Sequence, residues 1–155
     1  MSYDDPRTIQ SILHRARTIA IVGLSPNELR ASHFVGYYLR RHGYTVIPVN
    51  PREESILGQR SYASLAEITE RIDVVDVFRA PDAVPAIAEE AVAAGAGALW
   101  LQYGVISPEG ASIAEVGGLD VVMDRCMKVE HARYLGRMHW LGFATGEITS
   151  SRLYG

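Results

Sequence analysis

Five short apolar runs, separated by segments of helical periodicity, constrain the fold of this chain more than any other feature. The runs read TIAIVG from residue 18, YTVIPV from 44, VVDVF from 74, GALWLQ from 97 and LDVVMD from 119. Nearly unbroken apolar runs of this length are typical of strands buried on both faces of a parallel sheet. Alternation with helices predicts right-handed βαβ units. We therefore expect an α/β fold: a doubly wound, mostly parallel five-stranded sheet in a three-layer Rossmann-like sandwich.

Polar residues and glycines predict where the helices begin and end. Four helix starts are predicted from a capping side chain: Asp5, Ser32, Asp82 and Ser107. Asp124 is a candidate cap for the last helix, or a partner that orients Arg125. Gly43 and Gly95 are predicted helix stops, and the segment NPREE from residue 50 is predicted to be a turn.

Size, charge and cysteine content exclude several classes of function. The 155 residues suit one domain, 1–155, and contain no apolar stretch near the ~20 residues that span a bilayer. The formal net charge of −3 argues against a nucleic-acid partner, because such proteins are normally basic. One cysteine and a polar, acidic amino terminus predict a cytoplasmic protein without a signal peptide. No metal site is predicted, since no set of four ligands stands at a suitable spacing.

The loop after the first strand is a candidate phosphate site. Gly23 allows a tight turn and a close approach of the backbone to a ligand. Ser25 supplies a hydroxyl, and the following helix supplies free amides and the positive end of its dipole. A simple strand-to-helix turn explains the same residues, so this loop alone leaves both interpretations open.

The loop after the second strand discriminates between nucleotide ligands. Folds that bind NAD place Asp or Glu here to hold the ribose 2′-hydroxyl, whereas this chain has Asn50, Pro51 and Arg52. Arg52 would attract an additional phosphate on the ribose, as found in NADP at the 2′ position and in coenzyme A at the 3′ position. The missing GxGxxG pattern disfavours NADP. The alternative is that Arg52 is a solvated turn residue, with or without an ion pair to Glu53 or Glu54.

Much of the chain resembles the small single-domain CoA-binding proteins of bacteria. The resemblance extends from IAIVGLSPNELRASHFVGYYLRRHGYTVIPVNP through SYASLAEI, DVVDVFR and GALWLQYGV to VVMDRCMKVEHARY. The same fold is similar to the CoA-binding domains of the succinyl-CoA synthetase α subunit and of ADP-forming acyl-CoA synthetases. The resemblance implies that coenzyme A or an acyl-CoA is the ligand. Ligase activity is not implied, because those synthetases use a further domain with a phosphorylated histidine.

The resemblance also implies which residues form the CoA site. They follow four successive strands: Gly23, Leu24, Ser25 and Pro26, with Arg30 and Ser32 on the next helix; Asn50, Pro51 and Arg52; Phe78 and Arg79; and Gln102 and Gly104. Cys126, after the fifth strand, is a further candidate for the CoA site. The neighbouring cations Arg125 and Lys128 and the start of a helix would favour its thiolate, which could form a disulfide with CoA. A small buried cysteine is the competing interpretation.

These residues lead to three hypotheses about the function of the protein. A stand-alone CoA-binding module is preferred, because no nucleophile elbow, Walker loop or acid–base pair of carboxylates is present. An NADP-binding oxidoreductase or accessory domain is the alternative, and a regulatory protein with a vestigial pocket is the third. The tail from His139 to Gly155 has apolar residues but no clear periodicity, so it is expected to pack on the sheet edge or in a homodimer.

Overall fold

A central five-stranded sheet organises the protein in a computed structural model, which describes residues 3–136. The strands are, in chain order, β1 (Thr18–Val22), β2 (Thr45–Val49), β3 (Ser55–Ile56), β4 (Gln59–Arg60), β5 (Val74–Val77), β6 (Ala98–Leu101) and β7 (Asp120–Val122). The central sheet has the order β2-β1-β5-β6-β7, and every neighbouring pair in it is parallel. The predicted doubly wound sheet is confirmed, while the tail from His139 lies outside the described residues.

Helices cover both faces of the sheet and complete three layers. They are α1 (Pro6–Arg15), α2 (Ala31–Arg41), α3 (Val84–Ala93), α4 (Pro108–Val116) and α5 (Met127–Tyr134). One hydrophobic cluster joins α3 and α4 to one face of the sheet, and a second joins α1, α2 and α5 to the other. Side chains alternate between these clusters along β5, where Val75 and Val77 enter the first and Val74 enters the second. Among the described residues, no helix is long and apolar enough to cross a bilayer.

Two predicted helix caps are confirmed. Asp5 Oδ1 accepts a hydrogen bond from Arg7 N at 2.9 Å, and Ser107 Oγ accepts one from Gly110 N at 3.1 Å. The predicted helix stops Gly43 and Gly95 follow the ends of α2 and α3 with φ of 95° and 72°, which glycine adopts without strain.

The other three predicted caps are wrong. Ser32 lies inside α2, where its Oγ accepts from Ser25 N at 3.0 Å, and Arg30 occupies the cap position. Asp82 lies in a short 3₁₀ turn before α3 and makes no capping bond, because that turn replaces the first turn of the helix. Asp124 does not cap α5: its Oδ1 accepts from Gly104 N at 2.8 Å and joins two loops. Its contact with Arg125, the other predicted role, is through the backbone, where Arg125 Nη1 donates to Asp124 O at 2.8 Å.

A β-hairpin follows the turn predicted at NPREE. Strands β3 and β4 pair in an antiparallel manner around Leu57 and Gly58, which have φ of 55° and 72°. The chain then returns along β2, where Asn50 N donates to Tyr62 O at 2.8 Å. The sequence signal was weak, because Leu-Gly is not one of the Asn-Gly or Asp-Gly pairs that predict such turns.

A cluster of histidine and tyrosine rings joins α5 to α2 and makes stability depend on pH. His131 is 6% exposed and lies at hydrogen-bond distance, 2.9 Å, from the Tyr38 hydroxyl. Burial, and secondarily the charge of His42, lowers the pKa of His131 from 6.5 to about 4. The unfolded chain therefore binds the extra proton more readily, so stability falls as pH drops from 6.5 towards 4.

We expect His131→Gln to abolish this dependence while the wild type loses about 1–2 kcal/mol of unfolding free energy between pH 6.5 and 5. Urea unfolding at several pH values measures both slopes. The exposed His14 is the control, since His14→Gln should leave the slope of the wild type unchanged. Equal slopes in wild type and His131→Gln would contradict the assignment.

Candidate functional site

The carboxyl ends of β1 and β5 lie side by side at the point where the strand order reverses. From β1 the chain crosses to β2 at one edge of the sheet, and it later returns to β5 on the other side of β1. Ligands of doubly wound sheets bind outside the strand ends at such a point, because the loops there diverge and leave a crevice. Gly23, immediately after β1, lies at this position.

Gly23 is required by both backbone conformation and space. Its φ is 91°, and a Cβ placed on it would lie 2.6 Å from Phe78 O, which is backbone. Its N–H donates to Val49 O at 2.9 Å, so the same residue also connects to the end of β2. The lack of a side chain therefore allows the ends of three strands to approach one another at the crevice.

Local hydrogen bonds hold the first loop against the start of α2. Ser25 N donates to Ser32 Oγ at 3.0 Å, and the Nδ1 atom of His33 lies 2.9 Å from Ser25 O. Ser25 Oγ in turn accepts from Asn27 N at 3.0 Å. Both serine hydroxyls act as acceptors in these bonds and keep their O–H groups for another partner.

Asn50 connects the loops after β1 and β2. Its Nδ2 donates to Leu24 O at 3.0 Å, and its Oδ1 accepts from Arg52 N at 2.9 Å. Ser61 Oγ donates to Asn50 O at 3.0 Å, so the segment after the hairpin supports the same residue. The neutral amide of Asn50, at the position where NAD-binding folds have a carboxylate, thus orients the turn that carries Arg52.

Two open clefts share Gly23 as part of their walls. The first, about 360 Å³, is lined by Gly23, Ser25, Arg30, Ala31, Ser32 and Phe78. The second, about 350 Å³, is lined by Gly23, Val49, Asn50, Pro51, Arg52 and Arg79. The structure therefore brings together, around one glycine, most of the residues predicted from the first three loops.

Three arginines of these clefts are available to an anion. Arg30, Arg52 and Arg79 are exposed, and none of them forms an ion pair with any of residues 3–136. Arg52 is thus exposed, as the alternative of a solvated turn residue predicts, but it pairs with neither Glu53 nor Glu54 within this part of the chain. Guanidinium groups bind phosphate through charge-assisted, often bidentate hydrogen bonds, so the clefts suit a ligand with several phosphates.

The remaining predicted residues divide into exposed and buried positions. Pro26 is exposed beside the first loop, and Gly104, with φ of 79°, is exposed after β6. The side chain of Leu24 is fully buried in the second hydrophobic cluster, so only its backbone faces the loop. Gln102 and Cys126 are each 2% exposed. Cys126 packs in the second cluster next to α5, as the buried-cysteine interpretation predicts.

Sequence reasoning missed one polar residue near the site, Asp76. It is fully buried in β5, and Gln102 Nε2 donates to its Oδ1 at 2.7 Å. Burial raises the pKa of Asp76 to about 8, although the bond from Gln102 acts in the opposite direction. The available signal was a carboxylate inside the apolar run VVDVF, which is rare in a strand buried on both faces.

Comparison with known proteins assigns the chain to a family. The CoA binding domain profile matches residues 17–132. The chain belongs to the CoA binding domain family. The resemblance identified in the sequence is therefore confirmed, and the matched range contains both clefts and Asp76.

Relatives within the CoA binding domain family extend over most of this chain. Protein YneT of Bacillus subtilis (strain 168) is 41% identical over 124 residues, which cover 80% of this chain and 92% of YneT. The structure of a hypothetical protein from Pyrococcus horikoshii OT3 is 41% identical with a TM-score of 0.82, covering 84% of this chain and 92% of that one. The ADP-forming acetate–CoA ligase I of Archaeoglobus fulgidus is 26% identical over 121 residues, 72% of this chain and 18% of the ligase.

Proposed function

We propose that this protein binds coenzyme A, or an acyl-CoA, as a stand-alone single-domain module in the cytoplasm. The observation that carries the proposal is a set of three exposed arginines, Arg30, Arg52 and Arg79, which surround the two clefts that meet at Gly23 and form no ion pair within residues 3–136. Membership of the CoA binding domain family supports the same ligand. CoA carries a pyrophosphate and a separate 3′-phosphate, which match a pair of cationic clefts.

The two clefts suit different phosphates of the ligand. The cleft with Ser25, Arg30 and Ser32 combines hydroxyls, a cation and the amino end of α2, which favours the pyrophosphate. The cleft with Arg52 and Arg79 has two cations and no carboxylate in its lining, which favours the dianionic 3′-phosphate. The pantetheine arm would then leave along Phe78 towards Gly104, at the ends of β5 and β6.

The function proposed is binding rather than catalysis. In the part of the chain that the structure describes, the side chains lining the two clefts include arginines, serines and an asparagine, but no carboxylate, histidine or cysteine that could act as a general base or nucleophile. Such a module could store, deliver or sense the cofactor. An oxidoreductase using NADP remains the competing function, because Arg52 would also attract a 2′-phosphate.

Calorimetric titration with CoA, 3′-dephospho-CoA and NADP tests the proposal. We expect CoA to bind most tightly, and loss of the 3′-phosphate to weaken binding by about 1.5–3 kcal/mol, the range for hydrogen bonds to charged groups. Arg52→Ala should weaken the binding of CoA and leave the binding of 3′-dephospho-CoA almost unaffected, so that the difference in affinity between the two ligands disappears.

Arg71→Ala is the matched control. Arg71 precedes β5 at the amino ends of the strands, opposite to the end where the clefts lie, and its side chain is 77% exposed. This variant should keep the full preference for CoA. If NADP binds more tightly than CoA, the proposed function is wrong and an NADP-dependent oxidoreductase becomes the preferred hypothesis. Absence of binding by all three ligands would favour a vestigial pocket.

A further inference from the structure

One carboxyl oxygen at the centre of the sheet lacks a partner. Asp76 is fully buried, and Oδ1 accepts from Gln102 Nε2 at 2.7 Å, but Oδ2 has no hydrogen-bond partner within residues 3–136. Buried polar groups in native proteins are nearly always paired, and each exception calls for a ligand, a water or a functional reason. A buried, unpaired oxygen beside the candidate site therefore indicates an additional recognition element.

Asp76 and Gln102 lie at the carboxyl ends of β5 and β6, which is the end of the sheet where the two clefts open. Phe78 N donates to Val22 O at 2.9 Å, so the strand-like pairing of β5 with β1 continues to Phe78. Side chains along β5 therefore keep alternating between the two faces of the sheet, and Phe78 packs against the second hydrophobic cluster, as Val74 does. Asp76, between them in this alternation, faces the same side. Phe78 lines the first cleft and follows Asp76 by two residues, so the cleft and the buried carboxyl lie near the same end of β5.

Burial favours the neutral form of the Asp76 carboxyl. Burial is the main cause that raises its pKa to about 8, and the bond from Gln102 opposes the shift. The titratable side chains on the covering layer include Tyr38 on α2 and Tyr44 after it, and, at or on α5, Cys126, Lys128, Glu130, His131 and Tyr134. A protonated carboxyl whose Oδ1 accepts from Gln102 carries its hydrogen on Oδ2, which is the atom without a partner.

We propose that Asp76 and Gln102 form a subsite for an amide of the pantetheine arm, with Asp76 Oδ2–H donating to the amide carbonyl. The inference rests on the proposed binding of CoA and adds a recognition residue to it. A neutral donor among the apolar side chains of Ile21 and Trp100, its neighbours in register, suits an uncharged amide and not a phosphate. Rotation of Phe78 admits the arm, and side-chain changes of this size are common on binding.

A comparison of two ligands isolates the subsite. CoA carries the pantetheine arm, whereas adenosine 3′,5′-bisphosphate has the nucleotide without it. In the double variant Asp76→Leu, Gln102→Met both polar partners become apolar together, which keeps the cost to folding small. We expect this variant to bind CoA about 5- to 10-fold more weakly than the wild type, the effect of losing one neutral hydrogen bond, with adenosine 3′,5′-bisphosphate bound within about twofold.

The possible outcomes separate this inference from the proposed function. If the wild type binds neither ligand, the proposed function fails and the inference falls with it. If the wild type binds both ligands and the double variant binds both equally more weakly, or binds both as tightly as the wild type, the proposed CoA binding stands and the subsite is overturned. A double variant that binds CoA more weakly but keeps its affinity for adenosine 3′,5′-bisphosphate supports both the proposed function and the subsite.

A second measurement does not depend on the double variant. Asp76→Asn keeps an acceptor for Gln102 and a donor for the ligand but cannot ionise. CoA affinity of the wild type should fall as pH rises above about 8, where Asp76 loses its proton, and Asp76→Asn should not show this fall. The CoA thiol titrates nearby, but its contribution persists in the variant. Identical pH profiles for the two proteins would overturn the subsite.

Discussion

Gly23→Ala is expected to destabilise the protein by about 3–5 kcal/mol and to abolish CoA binding. A φ of 91° disfavours any side chain, at about 1–2 kcal/mol. In addition, the new Cβ would lie 2.6 Å from Phe78 O, so the end of β5 must move away from β1. That movement separates the two clefts that meet at Gly23. Chemical denaturation and CoA titration of the folded fraction measure the two effects.

Gly43→Ala provides a control with almost the same backbone angle. Gly43 has a φ of 95°, but a Cβ there would meet no atom within 4 Å. Its substitution should therefore show only the conformational cost, about 1–2 kcal/mol, with CoA binding retained. The difference between the two variants measures the contact with Phe78. Equal destabilisation by both would show that the close approach of β1 and β5 is not what requires glycine.

Asp76→Asn is expected to stabilise the protein by about 2 kcal/mol at pH 7. The folded-state pKa of Asp76, about 8, is far above the ordinary value of 3.8, so the folded chain binds an additional proton between these values. Stability of the wild type therefore falls as pH rises from about 4 to 8, and asparagine removes this loss. The gain should disappear near pH 4. Thermal unfolding of both proteins from pH 4 to 9 measures it.

Asp73→Asn should have the opposite sign and serves as the control. Burial tends to raise the pKa of Asp73, but hydrogen bonds from the backbone of Thr18 and Arg17 and from Arg71 outweigh it, and the pKa is lowered. Its stabilisation is present above pH 3.8 and is lost as pH falls. Asp73→Asn should thus be less stable than the wild type at neutral pH. A destabilised Asp76→Asn at pH 8 would contradict the assignment of a neutral Asp76.

The expected effects at Asp76 connect stability to function. A buried carboxyl with one oxygen that has no hydrogen-bond partner within residues 3–136 is a local conflict between sequence and fold. Such conflicts in natural proteins concentrate at sites of function, where the ligand supplies the missing interaction. The subsite proposed for the pantetheine arm gives a physical reason for this residue.

The sequence by itself determined the layers and the parallel sheet, and it indicated the end of the sheet at which the candidate site lies. Runs such as TIAIVG and GALWLQ are local patterns, and their burial on both faces follows from period and length alone. The glycine after β1 and the replacement of an acid by Asn50 were also readable, because loops at strand ends occupy known positions in this fold. These features depend on residues close together in the chain.

Tertiary structure alone decided which polar groups bind one another. The bonds from Asn50 to Leu24 O, from Gln102 to Asp76 and from Gly104 to Asp124 join residues 20 to 26 positions apart. Such contacts depend on how strands align in the sheet, which local periodicity does not specify. For the same reason, Ser32 and Asp124, predicted as helix caps, instead hold loops together, and the unpaired oxygen of Asp76 became visible only once the sheet was assembled.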